Sequence, residues 1–256
     1  MSTVTVTARA GRAEWGRIWS VRSSWAFAAV TTIAVVGLGT ILGIDVANGG
    51  PGGPSDGSTA WDGGRFTAMF ALFGMVAMAV VTATADHGSG GIVPTLQWTP
   101  RRGVLLTART AVIAVTTTMV GLLAVTGAST VVWLFAPEMG LPLDSGLSML
   151  GDVAVVLGCG SLLGIGLGLL TRSTAAGLVA AIALVLLGPL LIAQLPYEWA
   201  ATVSAHLPGS GALFLIFGEG PLDDMTAVSA RLTLLVWAVG AVAAGGWRLV
   251  RSDATR

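Results

Sequence analysis

Six apolar runs, each long enough to cross a bilayer, constrain this chain more than any other feature. They fall near residues 25–44, 66–85, 104–136, 149–170, 174–195 and 227–250. A hydrocarbon core of about 30 Å takes roughly 20 apolar residues as helix. Inside it every backbone N–H and C=O must be satisfied within the segment, which leaves the α-helix as the form for single runs of this length. The polar residues in the runs are mostly Thr and Ser, which can bond back to helix carbonyls. The expected fold is therefore an all-α membrane protein with six transmembrane helices. Composition agrees: 10% of residues are charged, against about 25% in a soluble domain. The first run is longer than a signal-peptide core and no small-residue cleavage site follows it closely, so it reads as a retained span.

Arginine placement sets the expected orientation. All thirteen basic residues are arginine. With a cytoplasmic N-terminus, only Arg65 and Arg231 fall at outer ends; the rest lie inside. Ten acids, among them Asp62, Asp152, Glu198 and Glu219, fall outside. Both termini are then cytoplasmic, and the location expected is a bacterial plasma membrane. The domain plan is a tail and interfacial helix over 1–24, a six-helix membrane domain over 25–250, and a short cytoplasmic tail over 251–256.

The segments between spans carry their own signals. Trp15, Ile18, Trp19 and Arg22 recur at helical spacing, with Arg12, Glu14 and Arg17 largely on other faces. That pattern predicts a helix lying among the headgroups, where tryptophan is favoured. Residues 45–64 are Gly- and Pro-rich and read as a flexible loop. The third run is too long for a simple crossing, so its first turns, with Arg109, are expected to project into the cytoplasm. "TRST" at 171–174 makes a tight helical hairpin. Gly160, Gly164 and Gly168 form a doubled GxxxG, which serves either a dimer seam or packing within the chain. Pro189 is expected to kink its helix. The run Ala212–Phe217 is too short to cross, so residues 196–225 read as two short outer half-helices, the second re-entrant and broken from the first by "PGSG" at 208–211.

Several chemistries are excluded by what the chain lacks. Without lysine there is no P-loop. Cys159 is the single cysteine, and His87 and His206 fall on opposite sides of the expected membrane, so a metal centre is not expected. No H-E-x-x-H motif or mid-span carboxylate pair supports an enzyme. Zero net charge argues against nucleic acid as a partner. The span interiors carry almost no charge, which gives ion coupling little support.

One loop remains, "ADHGSGGIVPTLQWTPRR" at 85–102. Its glycines break the second helix, Pro94 can start a short helix through Thr95, Leu96 and Trp98, and Pro100 ends it. Ile92, Leu96 and Thr99 share a face. The residues alone leave open whether this is a docking helix or a connector on the headgroups.

In order and spacing, "AEWGRIWSVRSSW" at 13–25, "ADHGSGGIVPTLQWTPRRGVLLTAR" at 85–109 and "GLGLLTRSTAAGL" at 166–178 resemble the membrane subunit, or permease, of ABC-2 type ATP-binding-cassette transporters, of the small six-span actinobacterial kind. The family more often carries Glu at the position of Asp86 and a basic residue at that of Val93. The resemblance implies an exporter whose pathway forms between two permease subunits, the same or homologous. It implies two separate ATPase subunits, which bind the ATP and magnesium, so no cofactor is expected in this chain. It also implies a coupling loop over 86–103, with Asp86, His87, Ile92, Thr95, Leu96, Trp98, Arg101 and Arg102 as candidate contacts. Glu14, Trp15, Arg17 and Trp19 would form the interfacial helix. Met75, Met78, Thr116, Thr117, Thr118 and Trp237 are candidate pathway residues, suited to an apolar or amphiphilic cargo that the sequence does not identify. The other class left open is a membrane interaction or assembly protein without transport activity.

Overall fold

The computed structural model describes residues 3–50, 57–88 and 102–251. The described residues form helices: α1 (Thr3–Ser20), α2 (Arg22–Ala47), α3 (Ala60–Gly88), α4 (Arg102–Phe135), α5 (Leu143–Thr171), α6 (Thr174–Ala193), α7 (Glu198–Ala205), α8 (Pro208–Phe217) and α9 (Ala227–Arg251). Six of them, α2 to α6 and α9, are long and apolar enough to span a membrane. This is a multi-pass membrane architecture.

α3 and α5 form the core. Their most apolar stretches are 67% and 72% buried, whereas those of α2, α6 and α9 stay at 28% or below. Glycine decides how closely they approach. Gly160, Gly164 and Gly168 of α5 face Leu72, Val76, Val80 and Thr84 of α3. The doubled GxxxG is therefore a seam within the chain. On the next face of α5, a Cβ at Gly166 would collide with the backbone of Ala241 on α9, and one at Gly245 with the carbonyl of Gly166. Small residues let backbones meet in this way where no hydrophobic effect drives helices together. The outward surfaces of α2, α6 and α9 are as apolar as the core, with Ile33, Val179 and Val236 exposed, as befits elements solvated by hydrocarbon.

Local chemistry explains the breaks. Val21 is extended between α1 and α2, so Arg22 opens α2 and does not share the face of Trp15 and Trp19. Arg172 takes a left-handed conformation, and its N–H closes on the Gly168 carbonyl at 2.9 Å. The Ser173 hydroxyl then caps α6 by accepting from Ala176 N–H. The expected hairpin is thus two residues of turn. α6 widens into a π turn at Ala183–Leu187, just before Pro189. Pro189 cannot donate to the preceding turn, and the helix absorbs this by local widening.

α7 and α8 meet at 78°. The break lies at His206 and Leu207, one step earlier than the sequence suggested. Pro208 starts α8, and "PGSG" forms its first turn. Gly209 lets that turn press against the Val185 carbonyl in the π turn of α6, where any Cβ would collide. Ser210 donates to the Ser204 carbonyl at 2.6 Å, and Ser204 to the Pro189 carbonyl at 2.9 Å. α8 is an inserted element whose residues Gly209–Ala212 are all buried.

Candidate functional site: an ion ring at the stems of the 89–101 segment

α3 ends and α4 begins on either side of residues 89–101, and α1 lies along α4 there. Gly11 of α1 sits over Val112 of α4. Glu14 and Ile18, one helical turn apart, form the packed face of α1 and are both buried. The bundle therefore takes up the carboxylate face of α1. Trp15 stays about half exposed. Trp19 packs between Trp15, edge-on, and Trp25, tilted, at 6.1 and 4.7 Å between ring centres.

This packing closes a ring of four charges. Arg17 reaches Glu14 at 2.9 Å and Asp86, in the last turns of α3, at 2.7 Å. Arg109, in the second turn of α4, reaches the other oxygen of Glu14 at 3.2 Å and the other oxygen of Asp86. Each carboxylate accepts from both arginines, and each arginine spans both carboxylates. Arg109 is 1% exposed. Charge so enclosed persists only when it is paired and hydrogen-bonded. Arg109 Nη1 has no acceptor among the described residues. Arg17 also reaches toward the Thr82 carbonyl, which adds a backbone tie between α1 and α3.

Arg109, expected in the projecting first turns of this helix, is the most enclosed charge of the ring, because α1 sheaths those turns. One signal in the sequence pointed toward this. Glu14 and Asp86 are the two acids on the arginine-rich side apart from Asp253 in the tail.

Of the other candidate contacts, His87 lies in the last turn of α3 and Arg102 is the first residue of α4. Ile92, Thr95, Leu96, Trp98 and Arg101, with the short helix expected there, lie outside the described residues.

Among the candidate pathway residues, Met75, Met78, Thr116 and Thr117 are buried within the chain. Thr117 donates to Ser161 at 2.8 Å, which braces α4 against α5. Thr118 is half-buried facing Gly158. Trp237 is half-buried, and its indole N–H donates to the His206 carbonyl at 2.8 Å, which pins the α7–α8 elbow to α9. Spacing could not separate these residues from a lining, because a helix packed on all sides and one facing a pathway carry the same residue types. An open apolar groove lies elsewhere. It holds about 320 Å³ between Phe73 and Ala77 of α3 and Leu178, Ile182 and Leu186 of α6.

Compared with known proteins, the chain matches no family model and no curated protein.

Proposed function

We propose that this chain is the membrane-spanning permease subunit of an ABC exporter, working as a dimer and driven by separate ATPase subunits that dock on residues 86–102. The observation that carries the reading is the ion ring. Both stems of the 89–101 segment are tied to α1, Asp86 through Arg17 and Arg109 through Glu14, and to each other through the Asp86–Arg109 pair. A push on that segment would move α1, α3 and α4 together instead of bending one loop. The buried ring resists separation, since removing one partner of a buried pair typically costs about 3–5 kcal/mol.

The rest follows the arginine distribution. The ring end faces the cytoplasm of a bacterial plasma membrane, with both termini inside. α1 is the interfacial elbow helix, its Trp15 edge toward the headgroups. α7 and α8 form a re-entrant pair that caps the outer end. ATP and magnesium belong to the partner. The wholly apolar α3–α6 groove replaces the buried methionines and threonines as the cargo-facing surface, and it suits an apolar or amphiphilic molecule.

Affinity purification of the chain from its native membranes, in mild detergent, tests this. A P-loop ATPase is expected to co-purify. Replacing Leu96 and Trp98 together by Glu is expected to abolish that association while helical content stays unchanged. Recovery of no such ATPase with the wild type, or undiminished recovery with the double variant, would overturn the proposal.

A further inference from the structure

The bundle carries a second ion cluster at its other end, and its charge does not balance. Arg231 of α9 donates to Asp152 of α5 at 2.7 Å. Arg65 of α3 approaches the other oxygen of Asp152 only to 3.6 Å, too far for a hydrogen bond. Arg65 is held instead by the Leu215 carbonyl at the end of α8, at 2.8 Å. Its Nε is enclosed and has no acceptor among the described residues. Among the described side chains, two guanidiniums thus share one carboxylate, whereas the ring at the other end sets two against two. These are also the two arginines that stand apart from the positive-inside pattern, 166 residues apart in sequence and joined on Asp152.

Their depth matters. Arg65 and Asp86 lie 21 residues apart on α3, about 32 Å at helical rise. That equals the hydrocarbon thickness of a bilayer, roughly 30 Å. The two clusters therefore lie one hydrocarbon thickness apart, a spacing that would put Arg65 and Arg231 at the headgroup boundary of one leaflet. Arg65 is 34% and Arg231 45% exposed as side chains, so both are partly open while the Leu215 carbonyl and Asp152 hold them. Two guanidinium forks held on a single paired carboxylate suit an oxyanion with two acceptor oxygens.

We propose that Arg65 and Arg231 form a binding site for a phosphodiester anion, that of a phospholipid in the leaflet at this end, with Asp152 competing for the two arginines. Inorganic phosphate shares the chemistry, and the test separates the two. The inference does not depend on the transport reading.

The purified full chain in an uncharged detergent is titrated with phosphatidylglycerol, phosphatidylcholine or inorganic phosphate. Thermal unfolding is followed by tryptophan fluorescence. Phosphatidylglycerol is expected to raise the unfolding temperature, phosphatidylcholine less so. Arg65→Gln and Arg231→Gln are each expected to need roughly tenfold more phosphatidylglycerol for the same shift, as for the loss of a charge-assisted bond. Asp152→Asn is expected to bind phosphatidylglycerol at least as well as wild type, since the competing carboxylate is gone. A purely structural cluster would make Asp152→Asn behave like the arginine variants. Arg65→Lys, which keeps the charge and loses the fork, stands in if an Arg→Gln variant does not fold. A shift with inorganic phosphate showing the same variant pattern would keep the anion site and replace the lipid by a soluble phosphate. An equal lipid response in wild type and both arginine variants, or a weakened one in Asp152→Asn, would overturn the site.

Discussion

Arg109 is enclosed on every side, yet no residue on its own helix balances its charge. Its partners come from α1 and α3, so the pairing of its charge depends on tertiary packing alone. Arg109→Ala would leave two buried carboxylates facing Arg17, and a loss of about 3–5 kcal/mol is expected. Arg109→Met combined with Glu14→Gln removes one charge of each sign and leaves the Arg17–Asp86 pair intact. That double variant is expected to recover most of the loss, because the uncompensated charge is the main penalty. A double-mutant cycle by reversible unfolding in detergent measures this coupling. Additive effects of the two changes would mean that the ring is not a unit.

Among the elements, the α5–α9 seam shows how a helix pair is held where water exclusion gives no help. Gly166 stands directly against the backbone of Ala241, and a backbone obstacle cannot rotate away. Gly166→Leu is expected to destabilise the bundle by 3 kcal/mol or so, the upper end of overpacking. Gly151 and Gly240 face open space. Alanine at either is expected to be neutral or to stabilise by up to about 1 kcal/mol through helix propensity. Thermal unfolding of the three variants decides, and equal effects would show that the close approach does not matter. α6 makes a related point. The sequence marks Pro189 as a disturbance, and the structure resolves it by a π turn whose Val185 carbonyl faces Gly209 of α8. No local rule connects those two residues.

At the scale of the whole molecule, the two ion clusters are expected to set how the bundle sits in a bilayer. Their separation along α3, about 32 Å, leaves little room for a thinner or thicker hydrocarbon layer before charges enter it or apolar helix leaves it. Stability in nanodiscs of graded acyl length is expected to peak near a hydrocarbon thickness of 30 Å and to fall on both sides. A monotonic trend with chain length would mean that the clusters do not mark the boundaries.

What could be read from the residues in order was governed by length and solvent. Six apolar runs leave helices as the form, and the structure places six such helices over those runs, with α3 and α5 starting earlier, at Ala60 and Leu143. The two short helices before the last span and the two-residue hairpin at Arg172 were legible for the same reason, since chain-breaking residues act locally. The ion ring, the unbalanced cluster on Asp152, the assignment of GxxxG to an internal seam and the burial of Met75 and Thr117 were not legible. Each depends on which faces of distant helices meet. A single chain shows its periodicity, but any of several rotations about a helix axis satisfies an apolar pattern when hydrocarbon lies on one side and protein on the other. Packing selects the rotation, through glycines that admit a neighbour and charges that must find a partner.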